Sequence, residues 1–177
     1  CVEAGEDEGG LVLPGVHVEG GAQAVKLEGG TEMAEVIAKI VRANIPVVGH
    51  IGLTPQSILN FGGHFIQGKT NEAAQKLIED AKAIEQAGVC AIVIECVPKD
   101  VAKAITEAVN VPTIGIGAGI HCDGQVLVSY DMTGLYPRKV PSFVKPYVNI
   151  SPIYTDAVKA FVKEVKESAF PTDEYSF

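Results

Sequence analysis

Four side chains able to act as acid, base or cation stand where short apolar runs end. They are Lys26 and Glu28 in AQAVKLEGG (22–30), His50 in PVVGH (46–50) and Glu95 in CAIVIE (90–95). Side chains two apart in a strand share a face, so Lys26 and Glu28 point together with Ala24, opposite Val25 and Leu27. The pair is either an ion pair at a strand end or the lining of a pocket. As lining, Lys26 would neutralise a substrate carboxylate or enolate oxygen. Glu28 would offer a hard oxygen ligand suited to Mg²⁺, although one carboxylate is a poor metal site and needs acidic partners from elsewhere. His50 precedes a Gly-rich loop and suits a hydrogen bond to a substrate oxygen, or proton transfer. Glu95 shares a face with Ala91 and Val93. A charge at the end of an apolar stripe is unfavourable unless paired or metal-bound, which marks Glu95 as a functional carboxylate. The alternative is a strand-end residue that faces solvent or caps the next helix.

Other features carry less. His64 and His121 sit in loops without HxH or HExxH spacing. GIGAG (115–119) lacks the lysine of a phosphate-binding loop, and its glycines simply allow close backbone approach. The segment 51–70 has the composition of an active-site loop or lid, with Phe61-Gly62-Gly63 as an apolar contact on a pliable backbone. The cysteines at 1, 90, 96 and 122 match no zinc or redox spacing. Cys90 and Cys96 read as small core residues.

These residues are carried by alternating short apolar strands and amphipathic helices. Strands are expected at 22–28, 46–50, 90–95 and 111–119, with FVKPYV (143–148) as a fifth that its internal Pro146 makes fragile. The periodicity predicts a helix at 32–43 with Met33, Val36, Ile37, Ile40 and Val41 on one stripe. A second, at 71–87, buries Ala73, Ala74, Leu77, Ile78, Ala81 and Ile84 and ends at Gly88. A third, at 98–109, turns Val101, Ala102, Ile105 and Val109 inward. Asp123 is a candidate cap for a helix through 124–131, although QVLVSY would equally pass for a strand. A closing helix at 152–168 has Ile153, Ala157, Ala160, Phe161 and Val165 as its seam, before a loose polar tail.

Repeated strand–helix units imply a parallel sheet with right-handed crossovers. A doubly wound sheet and a TIM (β/α)₈ barrel both remain open, and both gather ligands at the carboxyl ends of the strands. About five strand–helix units fall short of a barrel of about 250 residues. The chain has 177 residues, 47% hydrophobic and 20% charged, with a net charge of −8. That balance argues against nucleic-acid binding, for which no basic cluster is available. No apolar run is long enough to span a membrane and no secretory signal is recognisable, so a cytoplasmic location is expected.

KLEGG (26–30), PVVGHIGLTPQSILNFGGHFIQGK (46–69), ECVP (95–98) and IGIGAGIHCDGQVLVSYDMTGL (114–135) together resemble the ketopantoate hydroxymethyltransferase family. FVKPY (143–147) and EYSF (174–177) agree with it. The resemblance implies a TIM barrel, a homo-oligomer (a decamer in the family) and Mg²⁺ as cofactor. It implies transfer of a hydroxymethyl group from the co-substrate 5,10-methylenetetrahydrofolate to 3-methyl-2-oxobutanoate, giving 2-dehydropantoate. Residue by residue, it makes Glu28 one of three metal-site carboxylates, places Lys26 and His50 beside the substrate, and makes Glu95 the base that removes the C3 proton. The family's other two metal-site residues are aspartates early in the barrel, one of them in a Gly-Asp-Ser motif that does not occur here. The expectation is therefore an irregular or junction segment at 1–15, then the C-terminal portion of a (β/α)₈ barrel over 16–177, its first strand an unpaired edge. Two other readings stand beside it. One is a Mg²⁺-dependent 2-oxo-acid lyase or mutase of the same barrel class, whose catalytic cysteine the 51–70 loop lacks; the other is a non-catalytic truncated scaffold.

Overall fold

A computed structural model describes residues 2–3, 21–54, 65–135 and 140–177. Most of the expected junction segment at 1–15 lies outside the described residues, as do Phe61, Gly62, Gly63 and His64 of the expected lid.

Six strands form one parallel sheet in sequential order: β1 (Val2–Glu3), β2 (Val25–Glu28), β3 (Val47–Gly52), β4 (Ala91–Glu95), β5 (Thr113–Ile116) and β6 (Gly124–Gln125). The intervening helices are α1 (Ala34–Arg42), α2 (Asn71–Gln86) and α3 (Lys99–Ala108). A doubly wound sheet reverses its strand order at a switch point. This order never reverses, and right-handed crossovers then place every helix on one side. The result is an arc of a (β/α) barrel.

Burial follows the pleat. Val25, Leu27, Val47, Ile51, Ile92 and Ile94 point to the helices and form the core with Ile37 of α1, Ala81 and Ile84 of α2, and Ala102 and Ile105 of α3. Each of the Val, Leu and Ile side chains stabilises the fold by about 1.5–3 kcal/mol through area removed from water. The other face carries Lys26, Val48, Val93, Glu95 and Ile114, all half-buried, with the more deeply buried side chains of Glu28 and His50. That inner face holds the candidate chemistry.

Local signals set the helix ends. Thr70 caps α2 through its Oγ1, which accepts from the N–H of Ala73 at 3.2 Å. Gly88 follows α2 with a φ of +101°, as a residue in the left-handed region should. The stripe expected on the first helix is buried at Ile37, while Val36 is exposed.

Four expectations are corrected. The first long strand is not an unpaired edge, because Val2 and Glu3 pair with Val25 and Lys26. Asp123 caps no helix; its carboxylate accepts from the N–H (2.8 Å) and Oγ1 (3.0 Å) of Thr113, and Gly124 and Gln125 then pair with Ile114 and Gly115. FVKPYV forms no strand: Pro146 can donate no ladder bond, and Phe143 and Tyr147 are exposed. Cys90 is exposed rather than a core residue.

The chain divides into two compact units, Cys1–Val126 and Leu127–Phe177. The second contains α4 (Ser129–Met132), α5 (Ser151–Lys166) and a cavity of about 580 Å³ lined by Asp131, Asn149, Ser151, Asp156 and Lys159. The expected seam of α5 is exposed, from Ile153 to Phe161 and Val165. In the tail, the Phe170 ring centroid lies 5.6 Å from that of Phe161 and 6.1 Å from that of Tyr175.

Candidate functional site

Strand register assembles the site. Glu28 lies opposite His50 across the β2–β3 ladder, and His50 lies opposite Val93 across the β3–β4 ladder. Glu95 is two residues beyond Val93 on the same face, within diagonal reach of His50. The four candidate residues therefore meet at the carboxyl end of three neighbouring strands.

His50 is the centre of the group, with its side chain 2% exposed. Its Nε2 is 3.1 Å from Oε2 of Glu95, and its Nδ1 is 3.5 Å from Oε1 of Glu28. Lys26 reaches the same Glu28 oxygen at 3.5 Å. Glu28 is almost fully buried, whereas Lys26 and Glu95 each keep part of their side chains open, 19% and 18% exposed. Neither ring nitrogen of His50 is aligned for a hydrogen bond, so each carboxylate is close without being committed to it. Lys26, Glu28, His50 and Glu95 form one continuous chain of charged and polar groups. His121 is exposed and belongs to a different loop.

The loop backbones are tied to this group. Gly52 ends β3 with a φ of +93°, and a Cβ there would fall on the carbonyl of Glu95. The N–H of Leu53 donates to that carbonyl at 2.9 Å, and the N–H of Gln67 donates to the Cys96 carbonyl at 2.9 Å. Cys96 itself takes a φ of +50° immediately after Glu95. Burial pushes its thiol pKa up, and the neighbouring Glu95 carboxylate pushes it in the same direction. The glycines of GIGAG make room for the chain itself: a Cβ on Gly119 would strike Lys99, and one on Gly115 would crowd Cys122 and Gln125.

A cavity of about 370 Å³ opens beside Glu28, lined also by Gly52, Thr54, Gln67, Lys76 and Asp80. Sequence reasoning missed Thr54, Lys76 and Asp80. Asp80 carried a readable signal, because it lies on α2 between Leu77 and Ile84 at the spacing of the buried face.

The Mg²⁺ expectation meets a shortfall of ligands. Among the described residues, no group of three His, Cys, Asp or Glu side chains could hold a metal ion. Glu28 provides one carboxylate oxygen within reach of two cationic or imidazole partners. The described residues do not by themselves fit a magnesium site.

The family model for ketopantoate hydroxymethyltransferase matches residues 15–173. The chain belongs to the ketopantoate hydroxymethyltransferase family. Its curated relatives include the 3-methyl-2-oxobutanoate hydroxymethyltransferase of Carboxydothermus hydrogenoformans, 58% identical over 159 residues, covering 90% of this chain and 58% of the relative. The enzyme of the same name from an Anaeromyxobacter strain is 53% identical over 175 residues, covering 99% of this chain and 57% of the relative. The chain thus spans a little over half the length of these family members. Among solved structures, a phosphonopyruvate hydrolase superposes with a TM-score of 0.47 at 17% identity, covering 92% of this chain and 59% of that one. That likeness carries no functional argument. Family membership does, because the matched span includes Lys26, Glu28, His50 and Glu95 together.

Proposed function

We propose that the protein containing this chain transfers a hydroxymethyl group from 5,10-methylenetetrahydrofolate to 3-methyl-2-oxobutanoate, yielding 2-dehydropantoate and tetrahydrofolate with uptake of one water. The observation that carries this reading is His50 standing between Glu28 and Glu95 at the carboxyl end of the sheet, in a chain of this family. Family membership supports the reaction, and this cluster is what supports assigning it to these residues.

In this reading Glu95 takes the C3 proton of the oxo acid. Its partial exposure leaves room for a substrate carbon, and it stands 3.1 Å from the His50 ring. Lys26 faces the anionic end of the substrate and offsets the negative charge that develops as the proton leaves. His50 stands between the two carboxylates, in reach of Glu95 for a hydrogen bond or proton transfer at the site. Glu28 would serve a Mg²⁺ ion only as one carboxylate among further ligands supplied from elsewhere in the protein. When bound, a divalent cation lowers the cost of negative charge on the 2-oxo oxygen.

The one-carbon acceptor is then a carbon nucleophile, and folate supplies the electrophile. Cytoplasmic location and homo-oligomeric assembly belong to the same proposal. No helix among the described residues is long and apolar enough to cross a membrane.

The test is calorimetric titration of Mg²⁺ and 3-methyl-2-oxobutanoate into the folded chain and into its full-length form. Saturable binding of the oxo acid that strengthens with Mg²⁺ supports the reading. Absence of binding to both folded samples assigns the protein to a non-catalytic scaffold instead.

A further inference from the structure

Asp80 is a buried carboxylate that the proposed reaction does not use. It stands on α2 and is 8% exposed. Its Oδ1 accepts from the N–H of Thr31 at 2.8 Å and from Oγ1 of Thr31 at 2.6 Å. Lys76, one turn earlier on the same helix, pairs with the same oxygen. Burial pushes the Asp80 pKa up, but the bonds from Lys76 and Thr31 outweigh it and hold the carboxyl below its usual value.

The target of this carboxylate is the turn that leaves β2. Gly30 packs directly beneath it, and a Cβ on Gly30 would fall on the Asp80 side chain. Gly29 takes a φ of +124°. Three successive amides after Glu28 go to three different anchors. Gly29 donates to the His50 carbonyl at 3.0 Å, Gly30 to the Glu32 carboxylate at 2.9 Å, and Thr31 to Asp80. The peptide following Glu28 is thus held on one side by the central histidine's own backbone and on the other by α2. A buried hydrogen bond to a charged acceptor is short and directional, and it fixes geometry more firmly than packing alone.

We propose that Asp80 is a positioning residue for Glu28. By clamping Thr31 over Gly30, it fixes the turn and hence the direction in which the Glu28 carboxylate projects toward Lys26 and His50. The inference rests on the reading of Glu28 as a site residue, and it adds α2 as a structural support of that site. Asp80 works through the turn rather than through contact with substrate.

The experiment compares Asp80→Asn, Thr31→Val and Thr31→Ser in the full-length protein. Asp80→Asn keeps the shape and removes the charge. Thr31→Val removes one donor and keeps the backbone N–H, and Thr31→Ser keeps both donors. Two readouts are taken: the NMR resonances of the Gly29 amide and the Glu28 carboxyl carbon, and kcat and KM for C3 proton exchange of 3-methyl-2-oxobutanoate. Asp80→Asn and Thr31→Val should shift both resonances and lower kcat about tenfold or more, the scale expected of a misplaced site group. Thr31→Ser should restore wild-type values. Unchanged resonances, or a stability loss at constant kcat, would overturn the proposal and leave Asp80 an anchor of the fold. If Asp80→Asn does not fold, Thr31→Val against Thr31→Ser decides alone. Absence of C3 exchange in the wild type would sink the functional reading, while the resonance comparison still decides the positioning role.

Discussion

The Nε2 of His50 stands 3.1 Å from Oε2 of Glu95, although the two residues are not opposite each other in the ladder. His50 faces Val93, and Glu95 leans back along the strand to meet it. The contact depends on both residues sharing the inner face, so a register slip of one position would turn Glu95 toward the helices. Nδ1 of the same ring looks at Glu28, so one buried side chain separates two carboxylates. Replacing it exposes each to the other. His50→Ala should destabilise the full-length protein by about 2–4 kcal/mol, through the core cavity that loss of a fully buried ring leaves. Urea unfolding measures this, and a change below about 0.5 kcal/mol, the scale of an ordinary surface substitution, would show that the ring supports nothing.

Glu95→Gln keeps the shape of the side chain and removes its basicity. Exchange of the C3 proton of 3-methyl-2-oxobutanoate in deuterated buffer, without folate, should slow by about 10²–10⁴-fold in the full-length protein. Oxo-acid binding should change little, because the substituted amide still fills the space beside His50. An unchanged exchange rate would remove Glu95 from the role of base.

Gly52 is the position where β3 passes beneath the Glu95 carbonyl. Gly52→Ala meets two obstacles, the φ of +93° and the absence of room for a Cβ. It should destabilise by more than about 1 kcal/mol, the scale at which an unsuitable conformation outweighs the reduced entropy of the unfolded chain. It should also lower C3 exchange, since relief of the clash moves Glu95. Thermal unfolding and the exchange assay on one sample check both. A stable variant with normal exchange would show that the backbone shifts freely here.

The sequence made the sheet legible because its strands are short apolar runs with glycine or proline at their borders, and Val25 and Leu27, set opposite Lys26 and Glu28 by parity, are buried. The clustering of the four candidate residues was legible for a simpler reason, as each is a charged or imidazole group ending an apolar stripe. What stayed hidden depends on contacts distant in sequence. Asp123 looked like a helix cap because a cap and a side chain binding a neighbouring strand have the same residue type, and only the fold brings Thr113 to it. The stripe on α5 showed which face is apolar, while its exposure at Ile153 and Phe161 depends on what packs against it. Asp80 was legible only as an anomaly, a carboxylate on the inward face of a helix, because its partner Thr31 is 49 residues away.

Asp80 also links the site to pH. Its pKa is lowered in the folded protein, because the bonds from Lys76 and Thr31 outweigh the effect of burial. A carboxylate with a depressed folded pKa adds stability above its unfolded value, about 3.9, and loses it as pH falls through the folded value. The unfolding midpoint of wild type should therefore exceed that of Asp80→Asn at neutral pH, and the gap should close below about pH 4. A gap that is constant between pH 7 and pH 3 would mean that the charge of Asp80 contributes nothing.

The cysteines give a check on burial that is independent of the reaction. Cys90 is exposed, while Cys96 and Cys122 are half-buried with thiol pKa values pushed up chiefly by burial. The thiolate is the reactive form, so a raised pKa and restricted access both slow alkylation. Brief treatment with iodoacetamide at neutral pH, followed by peptide mass mapping, should label Cys90 well before Cys96 and Cys122. Raising the pH should narrow the difference, because thiols with raised pKa values ionise only at higher pH. Mild urea should narrow it too, by opening the helices over the sheet. If Cys96 reacted as fast as Cys90 in the native protein, Glu95 beside it would be open to solvent rather than held in a partly closed site, and its assignment as a positioned base would lose its footing.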